Sequence, residues 1–317
     1  MKILITGALG FIGQNLYNFL TKKGIKVIAL DLHIRDSEDY IRADITEFYD
    51  LWKVFKENPD IDFIIHLAGE VGRILGEEYP HKMVYVNAIG TINIIKLALE
   101  YRSKLIYFST SEIYGRKFDE KMVSENDALD ISPFMLTNIY SISKFFGEVL
   151  VNHYVENYGL KAVCIRPFMI YGPGVFPNKY KSAIDQFIYN ALKNKPLIVH
   201  ENSLRAWCYI DDFIEGVYLV LTKHEFKEGL FEAYNIGTQE YIYTKDLAIK
   251  ILNILNKPLD LIKIVQMPTK FVSKEKRFSI DKILSLGYKP KVSIDQGLLK
   301  VIEWHKSINN SDEWKIQ

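Results

Sequence analysis

The chain predicts an α/β fold: a doubly wound parallel sheet covered by helices on both faces, with a smaller C-terminal mixed α/β domain. Three observations predict it. Short apolar runs alternate with amphipathic stretches through the first half, as strands joined by crossover helices do. The first run passes directly into Gly7, Gly10 and Gly13, and then into a helical pattern. After Arg166 the alternation stops, and Pro and Gly gather in Arg166–Gly174.

Lys2–Thr6 is a buried strand by its β-branched apolar residues, and Phe11, Ile12, Leu16, Phe19 and Leu20 then recur at helical spacing. Strand, glycine turn and helix form the context of a dinucleotide fingerprint. Gly7 permits the tight turn, Gly10 lets backbone approach a pyrophosphate, and Gly13 lets helix and sheet pack closely. The helix N-terminus offers free N–H groups and partial positive charge to phosphates. Lys26–Leu30 is a second strand, ending in Asp31. A carboxylate there is placed to hydrogen-bond the adenosine ribose and to repel a 2′-phosphate, which favours NAD over NADP.

Asp39–Ile45 is extended, Thr46–Glu57 amphipathic, and Asp62–Leu67 a third buried strand. A helix is expected over Pro80–Tyr101, a strand over Lys104–Ser109, a long helix over Thr137–Tyr158 and a strand over Ala162–Arg166. Beyond the turn-rich crossing, Ser182–Lys193 reads as a helix, Leu197–Val199 as a strand, and Thr244–Leu255 and Ile294–Lys306 as helices. Tyr234–Gly237 is apolar enough to return to the main sheet. We therefore assign 1–168, with a return near 231–238, to a nucleotide-binding domain and 169–317 mainly to a substrate-binding domain. A ligand is expected in the cleft outside the carboxyl ends of the strands.

With 48% hydrophobic and 25% charged residues, the composition is that of an ordinary globular protein. A formal net charge of +1 gives no electrostatic reason to expect nucleic acid or a membrane surface as partner. No uninterrupted apolar run reaches spanning length, so no membrane span is expected. The first strand begins at residue 2, leaving no room for a cleavable signal. Cys164 and Cys208 read as buried thiols in a reducing compartment, so the expected location is the cytoplasm. No metal site is expected.

Tyr140 and Lys144 lie four apart on the long helix and share one face. A nearby ammonium favours the phenolate, so such a tyrosine can take a proton from a sugar hydroxyl as hydride leaves the same carbon. The strand Lys104–Ser109 delivers Thr110, Ser111 and Glu112 to the same cleft. Thr110 is placed to hydrogen-bond the reacting hydroxyl, and Glu112 adds a carboxylate.

Taken together, these motifs resemble the extended short-chain dehydrogenase/reductases, the NAD-dependent nucleotide-sugar epimerase/dehydratase family. The resemblance runs through Thr6–Gly13, Asp31, Ala43–Ile45, His66–Gly69, Asn87–Thr91, Ser109–Gly115, Tyr140–Lys144, Arg166–Gly174, Arg205–Asp212 and Tyr234–Gly237. It implies a Rossmann-type domain holding NAD and a transient 4-keto sugar, with Thr110, Tyr140 and Lys144 as catalytic triad. The cofactor would lie along Gly7, Gly10, Phe11, Ile12 and Gly13, Asp31, Asp44 and Ile45, Leu67 and Ala68, Tyr140, Lys144 and Phe168. A nucleoside-diphosphate sugar would meet Arg205, Met169 and, as a second arginine, Arg277. Family members often dimerise through two helices per subunit, which here are those in Pro80–Tyr101 and Thr137–Tyr158, so a homodimer is expected.

The sequence departs from the family pattern in three places. Met169 stands where the family commonly has Asn, Gly69 where a second Ala is usual, and Pro133 to Tyr140 is longer than the usual spacing. The triplet Thr110-Ser111-Glu112 resembles that of 4,6-dehydratases and of decarboxylases, in which Ser111 and Glu112 would act on the 4-keto sugar. A 4-epimerase remains an alternative, as does an idle NAD-sensing protein, which the intact triad disfavours.

Overall fold

The computed structural model describes residues 1–176, 182–266 and 274–309. In chain order the first half forms β1 (Lys2–Thr6), α1 (Phe11–Lys22), β2 (Lys26–Asp31), β3 (Tyr40–Arg42), α2 (Phe48–Glu57), β4 (Phe63–His66), α3 (Arg73–Glu78), α4 (Pro80–Glu100), β5 (Lys104–Phe108), α5 (Ile139–Tyr158) and β6 (Ala162–Pro167). Then come β7 (Ile170–Tyr171), α6 (Ala183–Leu192), β8 (Leu197–His200), β9 (Leu204–Ala206), β10 (Cys208–Tyr209), α7 (Ile210–Lys223) and β11 (Glu232–Ile236). The chain continues with β12 (Tyr241–Tyr243), α8 (Thr244–Ile254), β13 (Ile262–Val265), α9 (Asp281–Ser285) and α10 (Ile294–Asn309).

Successive side chains of a strand leave on opposite faces, so a fully buried strand feeds two cores. In β1, Ile3 and Ile5 join one core and Leu4 the other. In β5, Ile106 and Phe108 join the first, while Leu105 and Tyr107 join the second. The first core is closed by Leu16 and Leu20 of α1 and by Phe213 and Val217 of α7. The second is closed by Leu51 and Phe55 of α2, Ile94 and Leu97 of α4, and Val151 and Val155 of α5.

The seven strands run in the order β11-β6-β5-β4-β1-β2-β3, and every pairing is parallel. All their carboxyl ends therefore lie along one edge. Strand order reverses at β1, which sits between β2 and β4, and the crevice at such a reversal is where ligands bind. The predicted return strand is β11, with Tyr234 opposite Ile165 in β6.

Among the described residues three helices escaped the sequence reading, α3, α7 and the five-residue α9. α7 lies in the span assigned to the second domain, yet it packs beside α1 on the sheet, so the sheet layer also takes in 210–223. Its signal was present: Ile210, Phe213, Ile214, Val217, Val220 and Leu221 are buried at helical spacing, with Asp211 and Asp212 in the first turn. Asp212 turns inward and its Oδ2 accepts from the backbone N–H groups of Lys291 (3.0 Å) and Val292 (2.9 Å), fixing the approach to α10. α3 is six residues long, too short for periodicity to show.

The small pairs β8–β13, β9–β12 and β7–β10, with α6, α8 and α10, build the C-terminal part. Cys164 and Cys208 are both free and buried. α4 has a mean hydropathy of 1.3 and is long enough to cross a bilayer, but 56% of that window is buried, as in the core helix of a sheet protein.

Candidate active site

The glycine turn closes against the end of β4. Gly7 has φ +71°, and a Cβ there would stand 2.7 Å from Ala68 N, so the two strand ends meet only because Gly7 has no side chain. At Gly13 a Cβ would lie 2.2 Å from the Gly7 carbonyl oxygen, so the helix seats directly on the turn. α1 begins after Gly10 with no side-chain cap and no acidic residue in its first turn, leaving its N-terminus electropositive. Asp31 is buried at the end of β2, where Oδ2 accepts from Leu9 N (2.9 Å) and Oδ1 from His33 N (3.2 Å). The carboxylate thus shapes the turn. This glycine cradle fits a dinucleotide pyrophosphate, with Phe11 and Ile12 half-buried at the helix start and Leu67 and Ala68 half-buried opposite.

The loop after β4 is held by Asn87 on α4. Its Oδ1 accepts from Glu70 N (2.8 Å), and its Nδ2 donates to Glu70 O (3.0 Å) and to Ser143 Oγ on α5 (2.9 Å). Gly69 now has a reason: a Cβ there would lie 2.6 Å from Asn87 Oδ1. His66 is buried between Thr6 Oγ1 (2.7 Å) and Thr91 Oγ1 (3.4 Å). Burial and the nearby Lys144 hold it down at about 3, so it is a neutral structural bridge.

Asn138 caps α5: its Oδ1 accepts from Ser141 N (2.8 Å) while Ser141 Oγ accepts from Asn138 N (3.3 Å). That reciprocal cap sets the phase of the helix and puts Tyr140 in its first turn. Glu77 of α3 accepts from Ile139 N (2.9 Å), bracing the same turn from outside. Thr110 caps the 3₁₀ segment Ser111–Asp119, accepting from Glu112 N (3.3 Å), and hydrogen-bonds Tyr140. Ser111 is buried at the head of that segment.

Burial pushes the Tyr140 phenol up to about 12; the Thr110 hydrogen bond opposes the rise and Glu112 adds to it. The lowering expected from Lys144 does not govern here, because the Lys144 ammonium lies 4.4 Å over the Tyr107 ring, where burial lowers it to about 8. Tyr140 is therefore a phenol in the protein alone, and Lys144, though lowered, is still largely an ammonium near neutral pH.

Around Glu112 lies a cluster that the sequence did not disclose. Lys276 Nζ is in contact with Glu112 Oε1, the lysine buried and the carboxylate partly buried. Glu112 also feels Arg73 and Arg205, and although burial pushes it up, these cations bring it down to about 2. Burial lowers Lys276 to about 8 and Arg205 to about 10. Arg205, buried on β9, donates from Nη1 to Leu204 O and Lys274 O (both 2.7 Å). Such a cation-rich cleft beside a proton-transfer group suits a polyanionic substrate.

Residues 3–237 match the model of the NAD dependent epimerase/dehydratase family. The chain belongs to that family. A dTDP-D-glucose 4,6-dehydratase from Homo sapiens is 29% identical over 99% of this chain and 92% of its own. The Dictyostelium discoideum enzyme of the same name is 30% identical over 99% and 83%. Among solved structures, an epimerase from Methanothermobacter thermautotrophicus superposes with TM-score 0.86 at 27% identity, covering 96% of this chain and 92% of that one. A dTDP-glucose 4,6-dehydratase from Bacillus anthracis, solved with NAD, gives TM-score 0.83 at 25% identity over 99% and 98%. The cofactor of this epimerase/dehydratase is NAD.

Several residues expected at the ligands have their side chains engaged elsewhere in the protein alone. Phe168 was placed against the cofactor, but its side chain is buried and stacked 3.6 Å from the Phe278 ring centre. Ile45 has its side chain packed against Gly90 and its carbonyl engaged by Asn93 Nδ2 (2.9 Å); beside it, Asp44 accepts from Thr46 N and Oγ1 at 2.8 Å. Arg277, expected as the second substrate arginine, is exposed and paired with Glu275 (3.0 Å), while its neighbour Lys276 takes the inward position. The cause is local extended geometry: the bridges Leu204–Glu275 and Val123–Phe278 hold this segment against β9 and the 3₁₀ region, so adjacent side chains point opposite ways.

Met169 adopts φ 45°, a left-handed conformation in which Asn is enriched and long side chains are strained. The Asn common to the family at this place thus suits the backbone as well as a ligand. Here Met packs into the first core instead.

Proposed function

We propose that this enzyme converts a nucleoside-diphosphate hexose to its 4-keto-6-deoxy form by removing water across C5 and C6. The single observation that carries the reading is Glu112, a partly buried ionised carboxylate presented beside Tyr140 by the segment that also presents Thr110. The names of the two curated relatives point the same way. Bound NAD would supply the hydride acceptor and donor. Gly7, Gly10 and Gly13 would hold it at the pyrophosphate, Asp31 at the ribose, and Lys144 and Tyr140 at the reacting end.

In its phenolate form, which the cationic nicotinamide of bound NAD would favour, Tyr140 takes the proton of the C4 hydroxyl, and Thr110 orients that hydroxyl. The C4 ketone acidifies the neighbouring C–H, and Glu112 accepts the C5 proton. Ser111 lies beside it as a hydrogen-bonding group, and Arg205 neutralises the diphosphate. Incubation with dTDP-, UDP-, GDP- and CDP-hexoses followed by mass spectrometry is expected to show loss of water from at least one. Unchanged mass with an altered sugar would mean epimerisation, and loss of carbon dioxide from a hexuronate would mean decarboxylation.

We further propose a homodimer. Val84 (42% exposed) and Tyr85 (53%) on α4, with Ile142 (43%), Phe146 (45%) and Val149 (47%) on α5, put large apolar side chains on the outer faces of two adjoining helices. Pro80, His81, Val84, Tyr85, Ala88 and Ile89 line a groove there. Light scattering at micromolar protein is expected to give twice the chain mass, and Phe146→Glu with Tyr85→Glu is expected to give monomers.

A further inference from the structure

Removing water from C5 and C6 needs a proton donor for the departing C6 oxygen as well as a base for C5. Glu112 is ionised at the outset, so it enters the elimination as the base with no proton of its own to give. Ser111 is an alcohol, too weak an acid to protonate a leaving group near neutrality. Tyr140 is committed to the C4 hydroxyl. A guanidinium is too weak an acid to serve, which excludes the arginines, and Arg205 is lowered only to about 10. His200 is held neutral by burial and by the same two arginines. Among the described residues around Glu112, that leaves the buried ammonium of Lys276, touching the carboxylate itself.

We propose that Lys276 is the general acid of the elimination, working as a coupled pair with Glu112. The step balances without an oxidant. Glu112 accepts the C5 proton, and the C–H electron pair becomes the C5=C6 double bond. The C6–O bond breaks, and its oxygen leaves as water with the proton from Lys276 Nζ. The resulting amine is reprotonated from solvent. The inference rests on the dehydration reading above.

The contact explains how the two transfers stay in step. While Glu112 is ionised, its charge supports the ammonium, and the ammonium keeps Glu112 deprotonated. Once Glu112 carries the C5 proton, that support vanishes, and Lys276 becomes a stronger acid at the moment the leaving oxygen needs a proton. At about 8, Lys276 already lies near working pH, where a general acid is most effective. The fold spends burial on the arrangement: Lys276 is brought to Glu112 by the bridges of its segment to β9 and to Val123.

The test uses the full-length NAD-loaded protein with the nucleoside-diphosphate hexose from which the parent removes water, dTDP-glucose first. Lys276→Met is expected to form the NADH band and to exchange C5 hydrogen for solvent deuterium, while losing water at least about 10²-fold more slowly. Lys276→Arg keeps the charge beside Glu112 but has no proton to give, and is expected to show the same loss. Elimination at the parent rate in Lys276→Met, or its restoration in Lys276→Arg, would overturn the assignment while leaving the dehydration reading intact. A parent that removes water from no hexose in the panel would overturn both. Retained NAD reports that a variant has folded, so absence of both the NADH band and water loss in variants that retain NAD would show a binding role and overturn the proposal.

Discussion

Replacing Tyr140 with Phe is expected to cut turnover by about 10²–10⁴-fold, the usual worth of a positioned acid–base group. The phenol hydrogen-bonds Thr110 and sits one helical turn before Lys144, so its removal deletes the proton acceptor and little else. Phe fills the same volume, and the cap by Asn138 and Ser141 does not involve the hydroxyl. The variant is therefore expected to fold and to keep NAD. Single-turnover absorbance at the NADH band separates the possibilities: the parent forms it quickly with its true sugar, and Tyr140→Phe forms it slowly. Formation at the parent rate would remove Tyr140 from the chemistry. Glu112→Gln provides the contrast, because it leaves the C4 step intact and is expected to accumulate the 4-ketone.

The largest stability effect is expected at Arg166. Its guanidinium is buried at the end of β6 and forks onto Glu148 of α5, with Nη2 contacting Oε1 and Nε donating to Oε2 (3.3 Å). Nη1 donates to Tyr114 OH and to Glu125 O, both at 2.8 Å. Tyr114 OH donates in turn to Asn235 Oδ1 (2.7 Å), and Glu125 Oε1 accepts from Asn235 N (2.9 Å). One side chain thus ties β6, α5, the 3₁₀ region after Thr110 and the return strand β11. Arg166→Met would leave the Glu148 carboxylate buried and uncompensated, which typically costs about 3–5 kcal/mol. Urea unfolding is expected to show that loss as a lower midpoint. Adding Glu148→Met is expected to recover part of it, because two apolar side chains leave no orphaned charge. A single variant as stable as the parent would show that water reaches Glu148.

The motifs of the first half were legible because each is a local pattern with a local cause. Gly7 and Gly13 are demanded by contacts within the turn and with the next strand end, and Tyr140 and Lys144 share a face by helical period alone. The Asn87 motif was visible as a string of residues, but its task, clamping Gly69–Glu70 to Ser143, was not. α7 was overlooked because the Arg205–Asp212 motif drew its first turn into a site, although Asp212 serves the packing of the chain before α10. The core packing of the Phe168 side chain was not legible because a motif position tells where backbone passes and not whether its side chain turns toward a ligand or into the core.

By itself the sequence determined the sheet, the dinucleotide turn, the acidic end of β2 and the helix carrying Tyr140 and Lys144, since these follow from periods of two and about 3.6 residues and from the backbone freedom of glycine. Only the tertiary structure decided the charge cluster. Lys276 meets Glu112 across a sequence separation of 164 residues, and Arg73 joins them from a six-residue helix with no periodic signature. Whether Lys276 or Arg277 faced the cleft depended on the register of one extended segment, in which a shift by a single residue exchanges inside for outside. Burial then set the proton affinities of Tyr140, Lys144 and Lys276, because desolvation depends on everything packed around a group and on nothing that its neighbours in sequence reveal.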